Sequence, residues 1–396
     1  MTTLLLSCDQ ILYHYKGKYY TTDVWQEFFN RYLRVYDRLR LAIRCKEKTE
    51  FDRSWKELNP DKVEIVNIPC FSGPKEYLKE YFTIGNAIRN VTEGCDAAII
   101  RLPSTIGQRV AHKVMRSGIP YAVEIVYDAG DGASNSSSFI ERLLWKRIDK
   151  DMKNISESAD GVSYVTEKYL QKHYSSKKKN AFFSHYSTLS LPKNFYTSAR
   201  KFPQKNTLSI VHVSNQVDCR TRKGHIQLIE ILSILKLQGK RISLSFVGAD
   251  YHNGIRQLKE MAKNAGVLDQ INFLGQVNRE QLSKILDNHD LFVFPTAAEG
   301  LPRVIIEAMS KGLPCVISDV SGNPELVSED MLANYLDVKS FAEKVALLME
   351  DKSLYESKSK QNFEKSLSFE SSMLQKKRDD FYQKLKDRIN PDSKKK

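Results

Sequence analysis

Two glutamates eight positions apart, Glu299 and Glu307, flank a turn Gly300-Leu301-Pro302-Arg303 within Phe294–Leu326. Carboxylates accept hydrogen bonds from sugar hydroxyls. A helix that starts at such a turn offers its first N–H groups and its positive dipole end to a phosphate. The combination suits a sugar attached to a nucleoside diphosphate. The flanking pattern supplies the elements that would position it. Leu291–Phe294 is an apolar run ending in Pro295, which predicts a buried strand. Pro302 has the fixed φ suited to a first helical residue. Val304–Met309 is apolar almost all round except at Glu307, which predicts a buried helix. Gly312 ends it, and Cys315–Ile317 is the next strand. A charged carboxylate among Ile305, Ile306, Ala308 and Met309 is costly to bury alone, so Glu307 is expected to have a hydrogen-bonding partner.

The chain has 396 residues, enough for two domains, and 41% of them are hydrophobic. No apolar run of about 18 residues suggests a transmembrane helix. The start, MTTLLLSCDQILYHYKGK, lacks a basic leader and a small-residue cleavage site and is expected to be a first strand, not a signal peptide. Six scattered cysteines without Cys-x-x-Cys or His/Cys metal spacing predict reduced thiols in a cytoplasmic protein and no metal site. The net charge is +13. Its small clusters, Lys177–Lys179, Lys376–Arg378 and Lys394–Lys396, lack interleaved aromatics, so nucleic acid is not an expected partner. Weak attraction to an anionic membrane surface fits better.

Apolar runs at Leu4–Ser7, Leu39–Arg44, Val63–Ile68, Ala97–Arg101, Tyr121–Val126 and Gly161–Val165 predict strands, separated by helical segments at Thr21–Arg38, Lys75–Asn90, Ser104–Arg116 and Phe139–Glu157. Asp9–Tyr20 is expected as a loop. Ser184–Lys205 is polar, carries Pro192 and Pro203, and is expected to be the linker. The rhythm restarts with strands at Leu208–Val213, Ile242–Val247 and Ile271–Leu274, helices between them, a helix at Val338–Met349 and one long amphipathic helix over Lys352–Arg388. The tail Asn390–Lys396 is expected to fray. The expected architecture is α/β: two Rossmann-like doubly wound parallel sheets facing a cleft, in domains 1–195 and 196–365, with a C-terminal helix and basic tail over 366–396 that packs back.

Six signals in the second half come in order: Arg222-Lys223-Gly224, Phe246-Val247-Gly248-Ala249-Asp250, Phe273-Leu274-Gly275-Gln276-Val277, Asp290–Pro295, the Glu299/Glu307 pair, and Gly322-Asn323-Pro324-Glu325-Leu326-Val327. Together they resemble the donor-binding domain of glycosyltransferase family 4, of the GT-B fold, similar to bacterial surface and capsular polysaccharide enzymes. That resemblance implies retaining, metal-independent transfer of a hexose-type sugar from a nucleotide sugar of UDP or GDP type, with no cofactor. It implies Lys223 on the diphosphate and Glu299 on the transferred sugar, as the catalytic pair. Glu307 would bind the ribose hydroxyls and Val277 the base. Gly300, Leu301, Pro302 and Arg303 would meet sugar and phosphate oxygens, and Gly248 and Gly275 complete the donor loops. Relatives add an arginine several residues before the lysine; here that place falls near Gln216–Val217, and Arg220 or Arg222 is expected to substitute.

The first half matches the family only in rhythm, and that half is expected to choose a glycan or lipid-linked acceptor. Relatives carry a glycine-rich first turn and a histidine after the fourth strand. Here the first turn is Tyr15-Lys16-Gly17-Lys18 and the fourth strand ends Arg101-Leu102-Pro103-Ser104. His14, Gly17, Lys18, Arg101 and Asp128 are acceptor-side candidates by strand-end position alone. Phe139–Lys153 mixes apolar and basic residues and is expected to be a buried helix with a wet basic face, membrane docking being the sharper alternative. A sucrose- or glycogen-type synthase would need a Lys-Thr-Gly-Gly-type first turn, which is absent. A non-catalytic sugar- or nucleic-acid-binding relative would not need Lys223, Glu299 and Glu307 together.

Overall fold

A computed structural model describes residues 1–134, 138–220 and 222–389. The chain divides into two units, the first taking Met1–Tyr186 and the chain from Gln375 onward, the second Ser187–Leu374. The first contains β1 (Thr3–Tyr15), β2 (Lys18–Thr22), α1 (Asp23–Leu33), β3 (Arg38–Glu47), β4 (Trp55–Glu57), β5 (Val63–Pro69), α2 (Gly73–Lys79), α3 (Tyr81–Ala87), β6 (Ala97–Leu102), α4 (Thr105–Ser117), β7 (Tyr121–Ile125), α5 (Ala129–Ser134), α6 (Phe139–Glu157), β8 (Gly161–Tyr164) and β9 (Phe182–His185). Its sheet runs β5-β3-β1-β6-β7-β8-β9 with all these pairs parallel. The central strands are near-continuous apolar runs because helices cover both faces of a parallel sheet.

The second unit contains β10 (Leu208–Gln216), α7 (His225–Leu237), β11 (Ile242–Ala249), α8 (Gly254–Asn264), β12 (Ile271–Gly275), α9 (Arg279–Asp287), β13 (Leu291–Phe294), α10 (Arg303–Ser310), β14 (Cys315–Ser318), β15 (Leu332–Ala333), α11 (Val338–Glu350) and α12 (Lys352–Ser366). A last helix, α13, spans Ser371–Lys386. The sheet order is β12-β11-β10-β13-β14-β15, parallel throughout. Its core joins Val211, Phe246 and Phe292 of the strands to Ile305, Ile306 and Met309 of α10. Both units are doubly wound α/β, the class expected from the sequence.

Several local expectations are corrected. The loop expected over Asp9–Tyr20 is strand: β1 continues to Tyr15 past a register irregularity between Ser7 and Ile11, then folds back onto β2. Lys16 and Gly17 have φ of 47° and 77°, the two-residue geometry that matches the twist of a tight hairpin. Lys75–Asn90 is two short helices, α2 and α3. The single helix expected over Lys352–Arg388 is α12 and α13, because Glu370 is extended and pairs with Leu191 as a β-bridge.

The boundaries expected at 195/196 and 365/366 both fall inside the second unit. Leu189, Leu191 and Phe195 of the expected linker are buried in that unit's core. Beyond Leu374, Phe381 and Tyr382 pack against rings of the first unit at Phe182, Tyr186 and Tyr32. Helix α6 is buried only in its second half, at Met152, Ile155 and Ser156, so the expectation of a buried helix fails for its first half. The tail Asn390–Lys396 lies outside the described residues.

Candidate active site

Lys223 follows β10 and Glu299 follows β13, and these strands are neighbours in the sheet. Loops leaving the same carboxyl edge of a parallel sheet converge, which is where such sheets bind ligands. Lys223 Nζ lies 2.5 Å from Glu299 Oε1. The loops are joined by Ala297 N donating to Arg222 O at 3.0 Å, and Thr296 Oγ1 stands 3.0 Å from Glu299 Oε1. Gly224 has φ 82°, and a Cβ there would collide with Pro295 O. Only glycine lets the lysine loop press this closely on the end of β13.

Neither helix that starts here is capped by a side chain. Helix α7 begins after Gly224, and α10 begins at Arg303 after Pro302, which is the N-cap and not the expected first helical residue. Elsewhere in this unit α9, α11 and α12 are capped by Asn278, Asp337 and Asp351. Uncapped helix starts at a strand edge suit an anion.

Glu307 lies in the second turn of α10. Among the described residues nothing donates a hydrogen bond to its carboxylate, contrary to the expected partner. Burial pushes its pKa up to about 7, with Arg303 and Arg279 pulling the other way. Arg303 itself is exposed, Leu301 packs on the core, and Gly300 O accepts from Gly322 N at 3.2 Å.

The donor-loop arginines differ in setting. Arg220 is held by Asp218, Nε at 3.1 Å from Oδ1 and Nη2 at 2.6 Å from Oδ2. Gln216 Nε2 donates to the same carboxylate at 2.9 Å. The hydrogen bonds and charge of Arg220, with a further hydrogen bond from Cys219, hold the Asp218 carboxyl well below the usual range despite its burial. The Arg222 side chain is exposed. A Cβ on Gly248 would collide with Ser214 O, and one on Gly254 would press on Asp218 Cα, so the loop is packed at its base. Gly275 ends β12 with φ 72°, and Val277 rests partly on the core just before the Asn278 cap. Asp218, Thr296 and Ser321, which takes Glu299 N at 3.4 Å, were not singled out from the sequence. Asp218 carried a signal, a lone acid just before a run of basic residues. The other two are small hydroxyls with none.

The acceptor-side candidates of the first unit fall into separate settings. His14 and Lys18 sit on the hairpin that Gly17 turns, His14 against Glu47 at 2.7 Å and Lys18 against Glu57 at 2.9 Å. Arg101 is paired with buried Glu124 at 3.3 Å. Asp128 is buried and accepts from Tyr174 Oη at 2.7 Å and from Gly130 N at 2.8 Å. Among the described residues no group of three His, Cys, Asp or Glu side chains is placed to hold a metal ion.

Comparison with known proteins bears on the class of the chain and on its fold. Residues 199–365 match the family described as Glycosyl transferases group 1. Protein CapJ of Staphylococcus aureus is 29% identical over 336 residues, covering 85% of this chain and 83% of CapJ. The N,N'-diacetylbacillosaminyl-diphospho-undecaprenol alpha-1,3-N-acetylgalactosaminyltransferase of Campylobacter jejuni is 27% identical over 39% of this chain and 46% of its own. Among solved structures, sucrose-phosphate synthase from Thermosynechococcus elongatus aligns with a TM-score of 0.73 at 15% identity, over 98% of this chain and 100% of that one. HepE of Anabaena in complex with UDP aligns with a TM-score of 0.69 at 16% identity, again over 98% and 100%. The fold is the two-domain GT-B fold, and the chain is a glycosyltransferase. No helix among the described residues is long and apolar enough to cross a membrane.

Proposed function

We propose that this enzyme moves a hexose-type sugar from a nucleoside-diphosphate donor to a glycan or lipid-linked acceptor with retention at the anomeric carbon and without a metal ion. The observation that carries the reading is the meeting of Lys223 and Glu299 beside two helix starts that no side chain caps. On donor binding the diphosphate takes Lys223 from Glu299, and the uncapped starts of α7 and α10 share its negative charge. Arg220, oriented by Asp218, is the second cation. Glu299 is then released to the transferred sugar and faces the positive charge that develops as the bond to the diphosphate breaks. The acceptor hydroxyl attacks on the same face and gives its proton to the departing phosphate oxygen, so no protein nucleophile is needed. Glu307, whose carboxylate has no donor among the described residues, takes the ribose hydroxyls, and the backbone at Val277 takes the base.

The HepE structure is a complex with UDP, which favours a uridine nucleotide as the donor carrier. The Campylobacter relative is named for a diphospho-undecaprenol acceptor, which favours a lipid-linked acceptor in assembly of a bacterial surface polysaccharide on the cytoplasmic side. Thermal-shift titration with UDP, GDP and ADP, followed by turnover of the matching sugars, tests the reading. Stabilisation by one diphosphate, lost in Lys223→Ala, is expected. No stabilisation by any of them, with no donor turned over, would sink it.

A further inference from the structure

The first half of α6 inverts the usual polarity of a surface helix. Phe139, Ile140, Leu143 and Leu144 are 78%, 70%, 59% and 41% exposed. Phe139 with Leu143 and Ile140 with Leu144 are i,i+4 pairs, so the four share one face. The opposite face holds the helix to its unit through Trp145, which lies against Gly132, and through Ile148, whose carbonyl accepts from Gln108 Nε2 at 3.0 Å. One turn further, Met152 and Ile155 are fully buried. The solvent side is therefore the apolar side, over two turns.

Charge decides what covers it. Arg142, Lys146, Arg147 and Lys150 are exposed and border the four apolar side chains along the same stretch. Of the two acids among residues 139–150, Glu141 falls by helical phase on the side of Ile148 and Met152, away from the apolar face, and Asp149 is held by Lys153 at 2.7 Å and Tyr174 at 2.8 Å. An apolar stripe rimmed by cations on one outward face fits the acyl–headgroup boundary of an anionic bilayer, with the helix lying in the interface plane. Helix α4 links α6 to an exposed ring on α3: Gln108 is bound to Ile148 O of α6, Arg109 donates to Tyr81 O at 3.0 Å, and Phe82, next to Tyr81, is 81% exposed.

We infer that the first half of α6 is a membrane-docking surface that holds this enzyme on anionic lipid through Phe139, Ile140, Leu143 and Leu144 with Arg142, Lys146, Arg147 and Lys150. The inference deepens the lipid-linked acceptor reading above by naming where the chain meets the lipid. Helix α6 follows β7 and α5 directly, so docking fixes the carboxyl edge of the first unit's sheet near the bilayer surface.

Co-sedimentation of the full chain with phosphatidylcholine vesicles, with and without phosphatidylglycerol, tests it. Binding is expected only to the phosphatidylglycerol vesicles and is expected to weaken as salt rises. Phe139→Ser with Leu143→Ser should lower vesicle partition about tenfold or more at unchanged melting temperature, and Arg147→Glu with Lys150→Glu should do likewise. Vesicle binding unaffected by both double variants would overturn the assignment. So would no binding to either vesicle, or a dimer in solution that Phe139→Ser with Leu143→Ser dissolves. Nucleotide-induced thermal shifts read the donor site independently, so failure here leaves the transfer reading standing and the reverse also holds.

Discussion

Lys223 and Glu299 face each other from the ends of neighbouring strands, and so do Arg101 and Glu124, which are register partners on β6 and β7. The first pair stands at an open edge, with the lysine side chain 38% exposed. The second is closed in. Glu124 is 4% exposed and accepts from Tyr32, Tyr186 and Tyr382, each at 2.9 Å, as well as from Arg101. A carboxylate with four donors is spent on structure, including the anchoring of α13 through Tyr382. A carboxylate whose partner is a mobile-headed lysine beside uncapped helix starts can exchange that partner for a ligand. Unmet hydrogen-bonding capacity, more than the mere presence of charge, separates the two regions.

The sharpest way to break the comparison is Lys223→Ala. Transfer should fall by about 10²–10³-fold in kcat/KM, the scale of losing one preorganised stabiliser of leaving-group charge, with the melting temperature little changed. Wild-type turnover in that variant would place the chemistry elsewhere. Arg101→Ala should do the opposite, destabilising the protein by about 3 kcal/mol or more because Glu124 loses its cation inside the core. Urea unfolding measures this, and the KM for donor in the surviving folded fraction should be unchanged.

Glu307 gives a pH test. Its pKa is raised in the folded state, to about 7, so its ionisation opposes folding. The group's contribution is therefore fully present at acid pH and is lost as pH rises from the ordinary glutamate range through about 7. Glu307→Gln should melt higher than wild type at pH 8, by an amount that shrinks towards pH 4.5, at up to about 1.4 kcal/mol per pH unit across that window. Donor KM in the wild type should fall as pH rises through about 7, since the ionised carboxylate accepts both ribose hydroxyls, and the glutamine variant should lose that dependence. The smallest effect is expected at Lys18→Ala: its pair with Glu57 is exposed, and both melting temperature and donor KM should stay within error.

The donor half was legible because its signals are local. The strand Leu291–Phe294, the turn after it, the helix carrying Glu307 and the stop at Gly312 lie within one short stretch, and period, proline and glycine mark each boundary. The first unit was less so. Phe182–His185 becomes a strand only because β8 offers it an edge, and the Tyr15–Lys18 turn is a hairpin only because β1 keeps pairing with β3 up to His14. Neither partner is near in sequence. The arginine roles divide in the same way: Arg220 and Arg222 look alike on paper, and Asp218 claims only one of them.

The sequence by itself determined the two parallel α/β units, the lysine loop, and the Glu299/Glu307 spacing around a helix start, since propensity and apolar period act over a few residues. Only the tertiary structure decided which charges stay available. It brought Lys223 to Glu299 across 76 positions, closed Glu124 in among tyrosines from three distant segments, and left the apolar side of α6 facing outward. Those outcomes depend on which groups burial places side by side, and the cost of leaving a buried group unpaired is set by neighbours that sequence spacing does not record.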